Sequence, residues 1–173
     1  MEFGIKNNKL IFNKIREFLK KHFPDNYKES KEYDECYHIV IESKEKEDLS
    51  IWFEFDIGKS ELIVGYGFSH KHYGKRYDLE ISKGLNQFLD ILTSKKRRIY
   101  FYKGKTNFKN IYEIEDINGA YRNFGTSSMI FLYPFWKKTT KRITEQCELI
   151  KDVNTLIEID KIRELIKTHA NTS

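Results

Sequence analysis

Leu49-Ser50-Ile51-Trp52-Phe53-Glu54-Phe55-Asp56-Ile57, followed by Gly58-Lys59-Ser60 and then Leu62-Ile63-Val64-Gly65-Tyr66, is the stretch on which the fold turns. Leu49, Ile51, Phe53, Phe55 and Ile57 alternate with Ser50, Trp52, Glu54 and Asp56. Successive side chains of a strand point to opposite faces, so this alternation predicts a strand with one buried face. Gly58-Lys59-Ser60 has turn chemistry, and the apolar run after it predicts the returning strand of a β-hairpin.

Outward from the hairpin, Leu10, Ile11, Ile15, Phe18, Leu19 and Phe23 recur at helical spacing. Asn7 or Asn8 is the expected N-cap there and Pro24 the stop. Tyr37 to Ile41 reads as a short strand. Beyond the hairpin, residues 69–77 read as a polar loop, after which Asp78 is expected to cap a second helix with the stripe Ile81, Leu85, Phe88, Leu89 and Leu92. Arg98–Tyr102, Phe108–Ile114 and Ser128–Tyr133 read as strands, with Lys103-Gly104-Lys105 as a turn. Residues 137–151 fit a strand or a helix, and Val153 to Ile166 has a helical pattern. Hairpin-length connections favour antiparallel pairing. The expectation is one α+β domain over residues 1–173: a mainly antiparallel sheet of about five or six strands with N-terminal, central and C-terminal helices.

A chain of 173 residues can bury about 70% of the surface it exposes unfolded, enough to fold without a metal or disulfide. The N-terminus lacks the pattern of a secretory signal, and no apolar run approaches bilayer length. Cys36 and Cys147 stand in no motif. From these features a cytoplasmic protein with reduced cysteines and no membrane partner is expected. Charge is uneven: residues 28–48 hold eight acids against four lysines, and residues 69–109 hold eleven bases against three acids. Lys137, Lys138, Lys141 and Arg142 add another basic group. Shared on one face, such groups attract an anionic partner; dispersed, they are solvated surface.

Chemistry is sparsely marked. His70 and His72 are spaced to share one side of a strand, but no further ligand stands at a zinc-site spacing. Nucleophile elbows and phosphate loops are missing, and Asp34 and Glu35 oppose thiolate formation at Cys36. Glu54 and Asp56 are expected on the outer face of the hairpin, where carboxylate pairs also serve acid–base work. Gly65, Tyr66, Gly67 and Phe68 fit the RNP1 pattern of RNA-recognition domains, whereas Val64, Ser69 and Lys71 break it. The two glycines read instead as a bulge or a close backbone approach. No catalytic residue, cofactor or metal site is expected.

The residues expected to bind are His70, His72, Tyr73, Lys75, Arg76 and Tyr77, where rings and bases interleave, with Lys95, Lys96 and Arg97. A compact, motif-free, aromatic-rich α+β chain of this size resembles, in general character, the small immunity proteins that neutralise bacterial toxins. That likeness implies a non-catalytic module with a protein partner, and Tyr73→Ala with Arg76→Ala is expected to weaken its binding without unfolding. Two alternatives stand beside it: nucleic-acid binding through the basic segment 69–109, and an enzyme whose site is assembled from dispersed residues such as Glu54, Asp56, His70 or His72.

Overall fold

The computed structural model describes residues 5–43, 49–129, 134 and 136–171. Among them are three helices, α1 (Ile5–His22), α2 (Ile81–Thr93) and α3 (Val153–Asn171). Nine strands form two antiparallel sheets. The first is a five-stranded meander of β1 (Tyr27–Tyr33), β2 (Cys36–Ile41), β3 (Ile51–Asp56), β4 (Glu61–Tyr66) and β5 (Ser69–Tyr73), side by side in chain order. The second comprises β6 (Lys96–Lys103), β7 (Thr106–Glu115), β8 (Tyr121–Ser128) and β9 (Thr139–Gln146), in the order β8-β7-β6-β9. The α+β class, the antiparallel pairing and the three helices are those the sequence implies.

The alternation of β3 does what its period demands. Ile51, Phe53 and Phe55 face inward with Ile39 and Ile41 of β2 and Leu62, Val64 and Tyr66 of β4. Onto this face α1 lays Ile11, Phe12, Ile15 and Leu19, with the Phe12 ring 5.8 Å from Phe55. The Phe88 ring of α2 stands edge-on to Phe53 at 4.6 Å. Helix α3 packs on both α1 and α2 and contributes Ile159, Ile162 and Ile166. Gly84 lets α2 approach, because a Cβ there would come within 2.6 Å of the Tyr73 ring and 2.8 Å of Leu62. The second sheet joins the core where β8 crosses β5, through Tyr112 and Phe124 packed on Tyr66.

Several local expectations are corrected. Residues 69–77 are not a loop: Ser69–Tyr73 is strand β5, followed by a 3-10 turn at Lys75–Tyr77. β5 hides from a hydrophobicity reading because its inward positions are Ser69, Lys71 and Tyr73. Asp78 does not cap α2; it closes the 3-10 turn with φ 55°, and α2 starts after Glu80 without a side-chain cap. β1 lies in the acid-rich segment, and its mostly polar sequence suits a sheet edge. Ser128 ends β8 instead of opening a strand; residues 130–133 of that expected strand lie outside the described residues. Residues 139–146 resolve to a strand, and Asn7 and Asn8 fall inside α1 rather than before it.

Candidate functional site

The described helices cover one face of the first sheet. On the other, no described helix packs, and the cross-strand register gathers a row of rings. Trp52 of β3 stands opposite Gly65 of β4, which stands opposite His70 of β5. The Trp52 ring lies 5.5 Å from His38 of β2 and 5.8 Å from His70. His70 is 5.0 Å from His72, and His72 is 4.7 Å from Tyr77 on the 3-10 turn. Arg76 lies 5.9 Å from the Tyr77 ring centroid, and Lys75 is exposed beside it. Gly65 makes the row continuous. The Trp52 indole fills the space where its side chain would stand, and Trp52 Nε1 donates to the Gly67 carbonyl at 3.0 Å. The glycine is thus the close backbone approach that the sequence suggests.

Around the rings the face is amphoteric. Glu54 lies between His38 and Ile63 in register, and Glu61 lies at its end beside Asp56. Asp56, expected on the solvent side, is only 6% exposed. It accepts the Lys59 backbone N–H at 2.9 Å, pairs with Lys59 Nζ at 3.0 Å and accepts the Tyr33 hydroxyl. Burial alone would raise its pKa, but these hydrogen bonds outweigh it and hold the carboxyl below its usual range. Asp56 is therefore an anchor of the β3–β4 turn, not half of an acid–base pair. Cys36 is buried and free, and burial pushes its thiol up, away from nucleophilic use. Cys147 is free and exposed.

The residues expected to bind are thus divided. His70, His72, Lys75, Arg76 and Tyr77 come together at this face. Tyr73 does not: it points inward, is 4% exposed and donates its hydroxyl to Gln87. Its replacement by alanine empties core volume, so it cannot separate binding from stability. Lys96 is 0% exposed, with Nζ donating at 2.8 Å to the carbonyls of Ile91 and Ser94 at the end of α2. Arg97 is ion-paired with Glu113 and lies 4.0 Å over the Tyr121 ring, and Lys95 pairs with Glu115 at 3.6 Å. Trp52 and His38 escaped notice in the sequence. Trp52 left one signal, a large ring among the polar positions Ser50, Glu54 and Asp56 of an amphipathic strand.

A separate cleft of about 680 Å³ lies between α2, α3 and the β7–β8 turn, lined among others by Lys71, Asp90, Asp116, Arg122 and Arg163. Arg163 pairs with Asp90 at 2.7 Å and Arg122 with Asp116 at 3.3 Å, so most of its charge is neutralised from within. Glu54, Asp56, His70 and His72 are not among its lining residues. The described residues contain no cluster of three or more His, Cys, Asp or Glu placed to hold a metal ion, and no described helix is long and apolar enough to cross a membrane. No family model matches the chain, and no curated protein or solved structure matches it either.

Proposed function

We propose that this chain is a non-catalytic protein-binding module, of the kind of an immunity protein that binds and neutralises a bacterial toxin, and that it meets its partner through the helix-free face of the first sheet. The observation that carries this reading is the continuous row His38–Trp52–His70–His72–Tyr77, with centroid separations of 4.7 to 5.8 Å. Trp, Tyr and Arg are the residues in which binding energy concentrates at protein interfaces. Rigid rings held by a sheet lose little conformational entropy on docking. The Trp52 hydrogen bond to the Gly67 carbonyl fixes the indole in advance.

Charge favours protein over nucleic acid at this face. A phosphate backbone laid along the rings would meet Glu54 in the middle of the row, whereas a protein surface can offer it a base. The chain's formal charge of +5 does not argue against a basic partner here, because the positive surplus resides on the second sheet.

The test is a native pull-down with tagged protein from lysate of its source cells, treated with nuclease. The expected result is one protein retained in stoichiometric amount and released by Tyr77→Ala combined with His70→Ala, at unchanged thermal transition. Equal retention by the double variant, or nothing retained, contradicts the reading.

A further inference from the structure

The far end of the second sheet collects charge that the rest of the molecule does not balance. Residues 99–112 and 136–144 contain seven bases, Lys103, Lys105, Lys109, Lys137, Lys138, Lys141 and Arg142, and no acid. The antiparallel register brings both segments to the same end: Lys103 pairs with Thr139, Phe101 with Lys141 on one side and Lys109 on the other, and Tyr100 with Arg142. Lys137 lies against the β6–β7 turn, where a Cβ on Gly104 would come within 2.8 Å of its Cδ. None of the seven forms an ion pair with a described carboxylate. Elsewhere on the second sheet Lys95, Arg97 and Arg122 all do. Removing these seven from the chain's 31 bases leaves 24 against 26 acids, so the whole positive surplus sits here.

Rings are interleaved with the bases. One row across β9, β6 and β7 reads Lys141, Phe101, Lys109, with Lys109 Nζ 5.6 Å from the Phe101 ring centroid. Trp136, one residue before Lys137, is 73% exposed. Bases that are not offset by acids attract a polyanion, and an exposed ring among them offers a stacking platform that a duplex, with its bases already stacked, cannot use. An acidic polypeptide would satisfy the charges but leave the ring without a base to stack on.

We infer that this end of the second sheet is a binding surface for single-stranded nucleic acid. It is a different surface from the ring row of the first sheet and stands or falls independently of the partner proposed there. Phosphates would be met by Lys103, Lys109 and Lys141, which share the Phe101 face of the sheet, and a base would stack on Trp136.

Fluorescence anisotropy of the whole protein with a labelled mixed-sequence single strand of about 20 nucleotides tests this, at salt from about 50 mM upward. Log affinity is expected to fall linearly with log salt, and Lys109→Gln with Lys141→Gln to reduce the slope by about 1.4, at about 0.7 per lost phosphate contact. Trp136→Ala is expected to weaken single-strand binding by about fivefold or more, the lower end of a stacking contribution, and to leave duplex binding unchanged. The inference is overturned by absent binding at the lowest salt, by a slope unaffected in the lysine variants, or by indifference to Trp136→Ala. Equal competition by poly-glutamate or anionic vesicles also overturns it.

Discussion

The indole of Trp52 occupies the space that a side chain at Gly65 would need on the neighbouring strand, and its Nε1 is tied to the Gly67 carbonyl at 3.0 Å. Gly65→Ala must therefore push the indole aside, because the conflicting atoms belong to a side chain that can swing outward. A loss of about 1 kcal/mol, the value of one hydrogen bond, is expected, with the fold retained. Tryptophan emission will shift to the red as the indole enters water, and partner binding will fall. An unchanged emission spectrum would contradict the packing described.

Gly84 poses the opposite case. Alanine in a helix interior gains about 1 kcal/mol over glycine. Here its Cβ would stand 2.6 Å from the buried Tyr73 ring and 2.8 Å from Leu62, neither of which has room to move. Overpacking of this kind costs about 1–3 kcal/mol. Gly84→Ala is thus expected to lower the thermal midpoint despite the better propensity, and a raised midpoint would show α2 to sit farther from the sheet.

Lys96 carries a pH signature. Burial lowers its pKa to about 8, against an ordinary value of about 10.4. Below the lowered value the folded chain holds a buried ammonium and bears its cost. Between about pH 8 and 10.4 the unfolded chain keeps a proton that the folded chain has released, so this group's contribution to stability rises with pH. Urea unfolding at about pH 7 and about pH 10 should show wild type gaining roughly 2–3 kcal/mol relative to Lys96→Met. Parallel behaviour of the two proteins would contradict it.

Asp56 titrates with the opposite sense. Its folded pKa is depressed by Tyr33 and Lys59, so its stabilisation is present above the unfolded value of about 3.9 and is lost as pH falls through the folded one. Asp56→Asn keeps an acceptor for the Lys59 N–H but loses the ion pair. A deficit of about 1.5–3 kcal/mol at neutral pH is expected, the range of a hydrogen bond to a charged group. It should close in acid; a deficit constant from neutral pH to below about pH 3 would place the carboxylate elsewhere.

What could be read in the sequence was the part governed by apolar periodicity. Phe53, Phe55 and the α2 stripe followed from spacing, as did Ile11, Ile15, Phe18 and Leu19 of α1; Leu10, expected in that stripe, is 44% exposed, and Phe12, outside it, is buried instead. β1 and β5 did not, because their pairing is set by neighbouring strands and their inward positions include Glu29, Ser69 and Lys71. The site was half legible. His70, His72 and Tyr77 stood out as interleaved rings, but His38 and Trp52 join them only through register across β2 and β3. Tyr73 and Lys96 looked available in sequence, yet strand direction turns them inward. Charge misled in a similar way: the basic segment 69–109 divides among ion pairs, the core and two separate surfaces.

Hydroxyl-radical footprinting of the purified complex tests the central claim most directly, since tryptophan, tyrosine and histidine side chains react readily and report their own exposure. With partner bound, labelling is expected to fall at Trp52, His70 and Tyr77 and to stay constant at Ile143 of the second sheet and at Trp136 just before β9. Undiminished labelling of Trp52, His70 and Tyr77 in a stoichiometric complex would place the partner elsewhere and contradict the assignment of this face.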